Sequence, residues 1–255
     1  KTMGLYQNNN ASQLAILTDG IYKNIDFTVN TLDNQTSLLN ALSGLNLTYF
    51  KRAPSQLFDQ DAKSLNQRVA KNVSNSNKDF VTITYRVIAP PHSQLYVSVP
   101  NISWSDDNNH SLSITVNGVT RNQVTDNTFD FFDLGYFETE SMVTIKLSFP
   151  GNKAISFDNP SFYALDTHNY QIAMDTINER DSKVTTSNNK VFVDYSSKTN
   201  ASLFFTIPYD KGWTATINHK KVKIQRAQKG FMKVDVPSGK GKVVLTSFPM
   251  VLRQV

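Results

Sequence analysis

From Phe80 onward the chain adopts a two-residue period, and no other feature narrows the folds open to it as far. Val81, Ile83, Tyr85 and Val87 alternate with Thr82, Thr84 and Arg86, and Leu95, Val97 and Val99 alternate with Tyr96 and Ser98. Side chains on an extended strand point to opposite faces in turn, so this alternation describes antiparallel strands with one buried and one wet face. Leu112, Ile114 and Val116 continue the pattern into Asn117-Gly118, the dipeptide that best tolerates the positive φ of a two-residue hairpin. Val143, Ile145, Leu147 and Phe149 give a further strand, with Thr144, Lys146 and Ser148 outward. Short alternating strands between turn residues are the pattern of a β-sandwich.

The second half of the chain repeats the order of the first. Tyr96 to Pro100, Trp104, the hairpin around Asn117-Gly118 and Val143 to Pro150 are matched by Phe204 to Pro208, Trp213, Ile217-Asn218-His219-Lys220 and Val243 to Pro249. Such an order predicts two related sandwich units. The expected fold is mostly β: tandem antiparallel, jelly-roll-like sandwiches over 76–168 and 169–255, with the boundary near Asp166 to Tyr170. A mixed segment over 1–75, carrying short helices, is expected to pack on the first sandwich. Its clearest helix has Asp33 to cap the first turn, Leu38, Leu39 and Leu42 on one face, and Gly44 after the last turn. A second helix is expected from about Gln56 to Lys71.

Composition excludes several function classes. With 255 residues and 39% hydrophobic content the chain can build one large or two small cores, which removes disorder and mini-scaffolds. No cysteine is present, so disulfides, thiolate zinc sites, Fe–S clusters and cysteine nucleophiles are absent. The net charge of +5 is diluted along the chain except in the run Lys220, Lys221, Lys223, Arg226, Lys229 and Lys233, interleaved with apolar residues at strand spacing. That run reads either as a solvated strand face or as a contact for a polyanion such as teichoic acid or anionic lipid. No RNA-binding signature or helix-turn-helix accompanies it, so nucleic acid is not an expected partner. No apolar run reaches 18 residues. The start at Lys1, without an initiator or a signal-peptide core, reads as that of a segment from a longer protein.

Catalytic motifs are missing. His92, His110, His168 and His219 lack metal-ligand spacing, and no nucleophile elbow or nucleotide-binding glycine motif occurs. Asp106 and Asp107, followed by Asn108 and Asn109, form an oxygen-rich loop that suits either a Ca²⁺ ion or a polar turn. Asp130, Asp133, Glu138 and Glu140 contain the residue types for a glycosidase pair, although spacing does not fix their separation. Flat rings cover the apolar face of a sugar, so Trp104, Tyr136, Phe137, Tyr209 and Trp213 are the candidate carbohydrate platforms. The shared place of both tryptophans in the repeat argues first for a packing role.

Pro208-Tyr209-Asp210-Lys211-Gly212-Trp213, Ile217 to Val222, Gly230 to Val236, Gly239 and Ser247-Phe248-Pro249 resemble the C-terminal extracytoplasmic region of bacterial YfhO-like membrane proteins. Asn34 to Gly44 with Tyr49-Phe50 is similar to the segment opening that region, and Asp158-Asn159-Pro160 with Phe162-Tyr163 and Asp166 is similar to its middle. One departure is His219, where the family hairpin often has Gly; this predicts a longer or reshaped turn. The resemblance implies a multi-pass membrane protein similar to GT-C-type glycosyltransferases, which use polyprenyl-phosphate sugars to glycosylate cell-surface polymers such as lipoteichoic acid. It places the catalytic acid on a membrane-proximal loop outside this chain and gives no residue here a catalytic role. The expected function is an accessory domain tethered outside the cytoplasm by flanking transmembrane helices, docking acceptor polymer or a partner, with no cofactor unless Ca²⁺. A carbohydrate-binding or adhesin module using exposed aromatics is the alternative, and a structural brace is the third.

Overall fold

A computed structural model describes residues 12–28, 31–60, 71–72, 80–104, 110–125, 131–150 and 155–247. In chain order the first elements are β1 (Ala15–Leu17), α1 (Thr31–Ser43), β2 (Phe50–Arg52), β3 (Ser55–Gln60), β4 (Lys71–Asn72), β5 (Phe80–Ala89) and β6 (Ser93–Ser98). They are followed by β7 (Ser103–Trp104), β8 (His110–Val116), β9 (Val119–Thr125), β10 (Phe131–Phe137), β11 (Ser141–Pro150), β12 (Ile155–Phe157) and β13 (Ser161–Asp166). The remainder is α2 (Thr167–Asn178), β14 (Ser182–Ser187), β15 (Lys190–Ser197), β16 (Ala201–Pro208), β17 (Trp213–Ile217), β18 (Lys220–Val222), β19 (Gln225–Ala227), β20 (Phe231–Val236) and β21 (Gly239–Ser247). The mostly-β expectation holds, and every paired strand among the described residues is antiparallel.

Two compact units form, one from residues 48–168 and one from residues 12–47 with 169–247. In the first, a five-stranded sheet ordered β3-β5-β11-β8-β9 and a four-stranded sheet ordered β10-β6-β13-β2 enclose one core. The alternation read from sequence supplies that core: Ile83, Val87, Leu95, Val97, Leu112, Val143, Ile145 and Leu147 are all fully buried. Burying such a side chain contributes about 1.5–3 kcal/mol, which is why the pattern dictates the register. A small sheet of β4, β12 and β7 completes the unit.

The C-terminal unit pairs a five-stranded sheet, β14-β15-β21-β17-β18, with a four-stranded one, β1-β16-β20-β19. Val191, Val193, Ala215, Val243 and Leu245 from one sheet meet Leu17, Leu203, Phe205, Met232 and Val234 from the other. The outer face of the four-stranded sheet is covered too, because Ile16 and Phe204 pack with Leu42 of α1 and Ile177 of α2. Sheet and helix layers on both sides explain why five consecutive residues of β16, Ala201 to Phe205, are buried without alternation.

The two five-stranded sheets share one order: an opening pair of strands, a later strand, then a hairpin. Both hairpins turn on an asparagine with positive φ, Asn117 at 46° and Asn218 at 47°. Each also bridges to the neighbouring strand in the same way: Asn117 N–H donates to the Thr144 carbonyl while Thr144 N–H donates to its side chain, and Asn218 makes the same pair with Lys242. The residue after the asparagine is Gly118 in one turn and His219 in the other. Aligning the two asparagines puts Trp213 opposite Leu112. Trp104 lies on β7 in the small sheet, so the supposed equivalence of the two tryptophans does not hold.

Three expectations change. The first part of the N-terminal segment does not join the first sandwich: β1 pairs with β16, and Ala15, Ile16 and Leu17 are buried in the C-terminal unit. Residues 55–60 form strand β3 rather than the start of a helix, because pairing with β5 satisfies their backbone; residues 61–70 of that expected helix lie outside the described residues. At His219 the turn stays tight: Ile217 pairs with Lys220 across two residues, and His219 itself takes φ +69°. Helix α1 follows its prediction, with Asp33 in the first turn and Gly44 at φ +75° after the last.

Candidate functional site

The basic run does not form one strand face. Lys220 and Lys221 are exposed on β18, the last strand of the five-stranded sheet, and exposed Lys223 follows them. The chain then crosses to β19, the last strand of the other sheet, where Arg226 is exposed with its guanidinium 4.8 Å over the Tyr209 ring. Lys229 sits in the turn before β20, with its ammonium 5.9 Å over Phe27. The run therefore follows the side of the sandwich across both sheets.

Lys233 departs from the run altogether. It is 8% exposed on β20, and its Nζ donates to the Tyr22 carbonyl at 2.9 Å and to Asp235 Oδ1 at 2.9 Å. Asp235 also accepts from Ser202 Oγ at 2.6 Å and Gln225 Nε2 at 2.6 Å. Partial burial alone raises the Asp235 carboxyl, but the hydrogen bonds from Ser202, Lys233 and Gln225 and the lysine charge outweigh it and hold the group below the ordinary carboxylate value. Tyr22 continues the network, its hydroxyl donating to Gln228 Oε1 at 2.6 Å, and burial pushes the phenol up to about 12. Sequence spacing put Lys233 with its solvated neighbours, whereas the residues at 18–28, folded over β16 and β20, turn it into an anchor.

The aromatic candidates separate in the same manner. Trp104 is 4% exposed and packs against Phe149, so it offers no platform to a sugar. Trp213 is half-buried against the C-terminal core. Tyr209 is half-buried too, with one face covered by Arg226. Tyr136 stands exposed on β10, and its hydroxyl donates to Glu138 Oε2 at 2.9 Å, which raises its pKa chiefly through that bond. Phe137 packs on the core of its unit. An exposed ring that periodicity did not single out is Phe58, left unpaired by the bulge in β3 and covered by Arg86 at 3.7 Å. Its signal in the sequence was hidden because the same residues fit a helix.

Asp133 accepts from Gln94 and from Gly135 N–H, and Glu138 meets His92 Nδ1 at 3.3 Å. Asp130 and the Ca²⁺ candidates Asp106 and Asp107 lie outside the described residues. Among the described residues no three His, Asp or Glu side chains converge on a point where they could hold a metal. Depressions among the described residues include one of about 230 Å³ beside Pro54, Arg86 and Met142 and one of about 540 Å³ beside Asp194, Tyr195 and Lys242. No candidate site residue lines either.

Against known proteins, the model of the family described as bacterial membrane protein YfhO matches residues 1–255. The chain belongs to the YfhO family. A stretch of 115 residues, 42% of this chain, is 25% identical to the uncharacterized protein YfhO of Bacillus subtilis (strain 168) and spans 13% of that protein. Among solved structures, a family two carbohydrate esterase from Cellvibrio japonicus is 11% identical over 46% of this chain and 32% of its own, with a TM-score of 0.31. A Paenibacillus cycloisomaltooligosaccharide glucanotransferase complexed with cycloisomaltoheptaose is 9% identical over 76% of this chain and 45% of its own, with a TM-score of 0.32. Likeness at that level carries nothing over to this chain. Among the described residues, no helix of this chain is long and apolar enough to cross a membrane.

Proposed function

We propose that these sandwiches form the extracytoplasmic accessory part of a YfhO-family membrane protein and dock a polyanionic cell-surface polymer, with lipoteichoic acid as the expected acceptor. The observation carrying this reading is the exposed lysine edge, Lys220, Lys221 and Lys223, on the terminal strand of a sheet. On this reading glycosyl transfer itself belongs to segments outside this chain. Lysines on an edge strand also deter strand-to-strand aggregation, so the test must separate ligand binding from solubility.

Titration of the chain with lipoteichoic acid, read by calorimetry at low and high salt, does so. Exposed charge pairs contribute about 0.2–1 kcal/mol each and are screened over about 10 Å at 0.1 M salt. Replacing all three lysines with glutamine should weaken binding between about threefold and a hundredfold. Binding unchanged by salt or by these substitutions rejects the electrostatic dock. Glycan recognition by stacking is the weaker alternative, since burial removes Trp104 and covers most of Tyr209 and Trp213.

A further inference from the structure

We infer that one end of the C-terminal unit, the end holding the loop 209–212, seats on the surface of an anionic phospholipid bilayer. Three pairings define this end. Leu14, just before β1, accepts from Thr206 N–H near the end of β16. Pro208, where β16 finishes, pairs with Phe231 at the start of β20. Trp213, after the loop, pairs with Ser247 at the end of β21. Thus β1 begins and β21 ends at the same end of this sandwich.

The residues gathered there suit a bilayer surface. Leu14 and Phe27 are 43% and 41% exposed, although both are large and apolar. Tyr209 and Trp213 are half-buried at the two ends of the loop, which leaves amphipathic rings at the rim. Lys190, Lys211, Arg226 and Lys229 are exposed around them, against the carboxylates of Asp26 and Asp210, the latter accepting from Gly212 N–H at 2.6 Å. Tyrosine and tryptophan favour the headgroup level, and each lysine or arginine close to an anionic surface contributes about 1 kcal/mol. The turn that presents Lys229 is fixed by positive φ at Gln228 and Lys229, with Gln228 anchored to Ile25 and Asn24. Phe27 and Lys229 are therefore held together at this end.

Lys220 and Lys221 mark the opposite end of the unit, beside the turn at Asn218 and His219. That separation makes the inference distinguishable from polymer docking on the lysine edge. The test is co-sedimentation of the 255-residue chain with vesicles of phosphatidylglycerol and phosphatidylcholine, compared with phosphatidylcholine alone. Binding should require phosphatidylglycerol, and brominated acyl chains should quench Trp213, since Trp104 is buried. Replacing Lys211 and Lys229 together with glutamine should weaken vesicle binding by about 25-fold, at tenfold per 1.4 kcal/mol. Leu14→Ser with Phe27→Ser should abolish quenching while circular dichroism stays unchanged. Absence of binding to phosphatidylglycerol vesicles, or binding lost by Lys220→Gln with Lys221→Gln and kept by Lys211→Gln with Lys229→Gln, overturns the inference. Either result leaves the lipoteichoic acid titration standing.

Discussion

Replacing Lys233 with methionine tests whether the most basic part of the chain is surface or scaffold. Methionine keeps the length and apolar stem of lysine and removes only the ammonium. In the native unit that ammonium satisfies the Tyr22 carbonyl and pairs with Asp235. An unpaired buried acceptor costs about 1–3 kcal/mol. The lost charge pair adds about 1 kcal/mol, discounted because the Asp235 side chain is 34% exposed and keeps its bonds from Ser202 and Gln225. The expected loss is about 2–4 kcal/mol, confined to the C-terminal unit. Hydrogen exchange read by mass spectrometry resolves this directly. Slow amides of β16 and β20 should exchange about 30- to 700-fold faster, at tenfold per 1.4 kcal/mol, and those of β5 and β11 should keep their rates as an internal reference. A change below about threefold on β16 and β20 refutes the anchoring role and returns Lys233 to a solvated face. Lys221→Met, on the exposed edge, should alter neither set.

Gly241 faces Tyr195 across β15 and β21, and a Cβ built there would lie 2.6 Å from the tyrosine ring. Gly241→Ala should cost about 1–3 kcal/mol by urea denaturation, and the cost should shrink in a Tyr195→Ala background. His219→Gly relieves a left-handed φ of +69° against the entropy of an added glycine, so stability should rise by about 0.5 kcal/mol; a lowered urea midpoint contradicts that account of the turn. Tyr22 and Tyr85 have phenols raised by burial to about 12 from 10.0. The folded state then retains protons that the unfolded state loses, so their contribution is full below about pH 10 and falls as pH rises from about 10 toward 12. Spectrophotometric titration of the phenolate absorbance should show Tyr22 and Tyr85 among the late-titrating tyrosines, and both should become normal in denaturant.

The strand-rich fold was legible because period two and burial are one physical fact: Ile83, Val97, Leu112 and Ile145 can share a core only on alternating strands. The Asn-Gly turn was legible for a similarly local reason, the cost of positive φ. Helix α2 was missed, although Ala173, Met174 and Ile177 carry a helical spacing; the repeat drew attention to a boundary there instead. Strand β3 was misread because its six residues are all exposed, leaving no alternation to report its partner. At the candidate site, local charge pattern located the exposed Lys220 and Lys221 but not the inward Lys233. That distinction depends on Tyr22, 211 residues earlier in the chain, and no window of sequence contains both.

The same long-range dependence explains why the tandem units are not simple successive copies. In each four-stranded sheet a central strand has two neighbours: β6 lies between β10 and β13, and β16 lies between β20 and β1. Both neighbours of β6 follow it in the chain, whereas β1 reaches β16 from far upstream, with the whole first unit inserted between them. Without β1, the backbone of β16 would present an open edge, and Leu203 and Phe205 would lose the cover of Ala15 and Leu17. A segment that looked like a prelude to the first sandwich is thus a strand of the second. The lysine network extends the same join, because Tyr22, which follows β1 in the chain, reaches Lys233 and Gln228 across the sheet that β1 completes. Strand pairing places the upstream segment, and the buried polar contacts of Tyr22 and Gln228 fix its path to the end that carries Phe27 and Lys229.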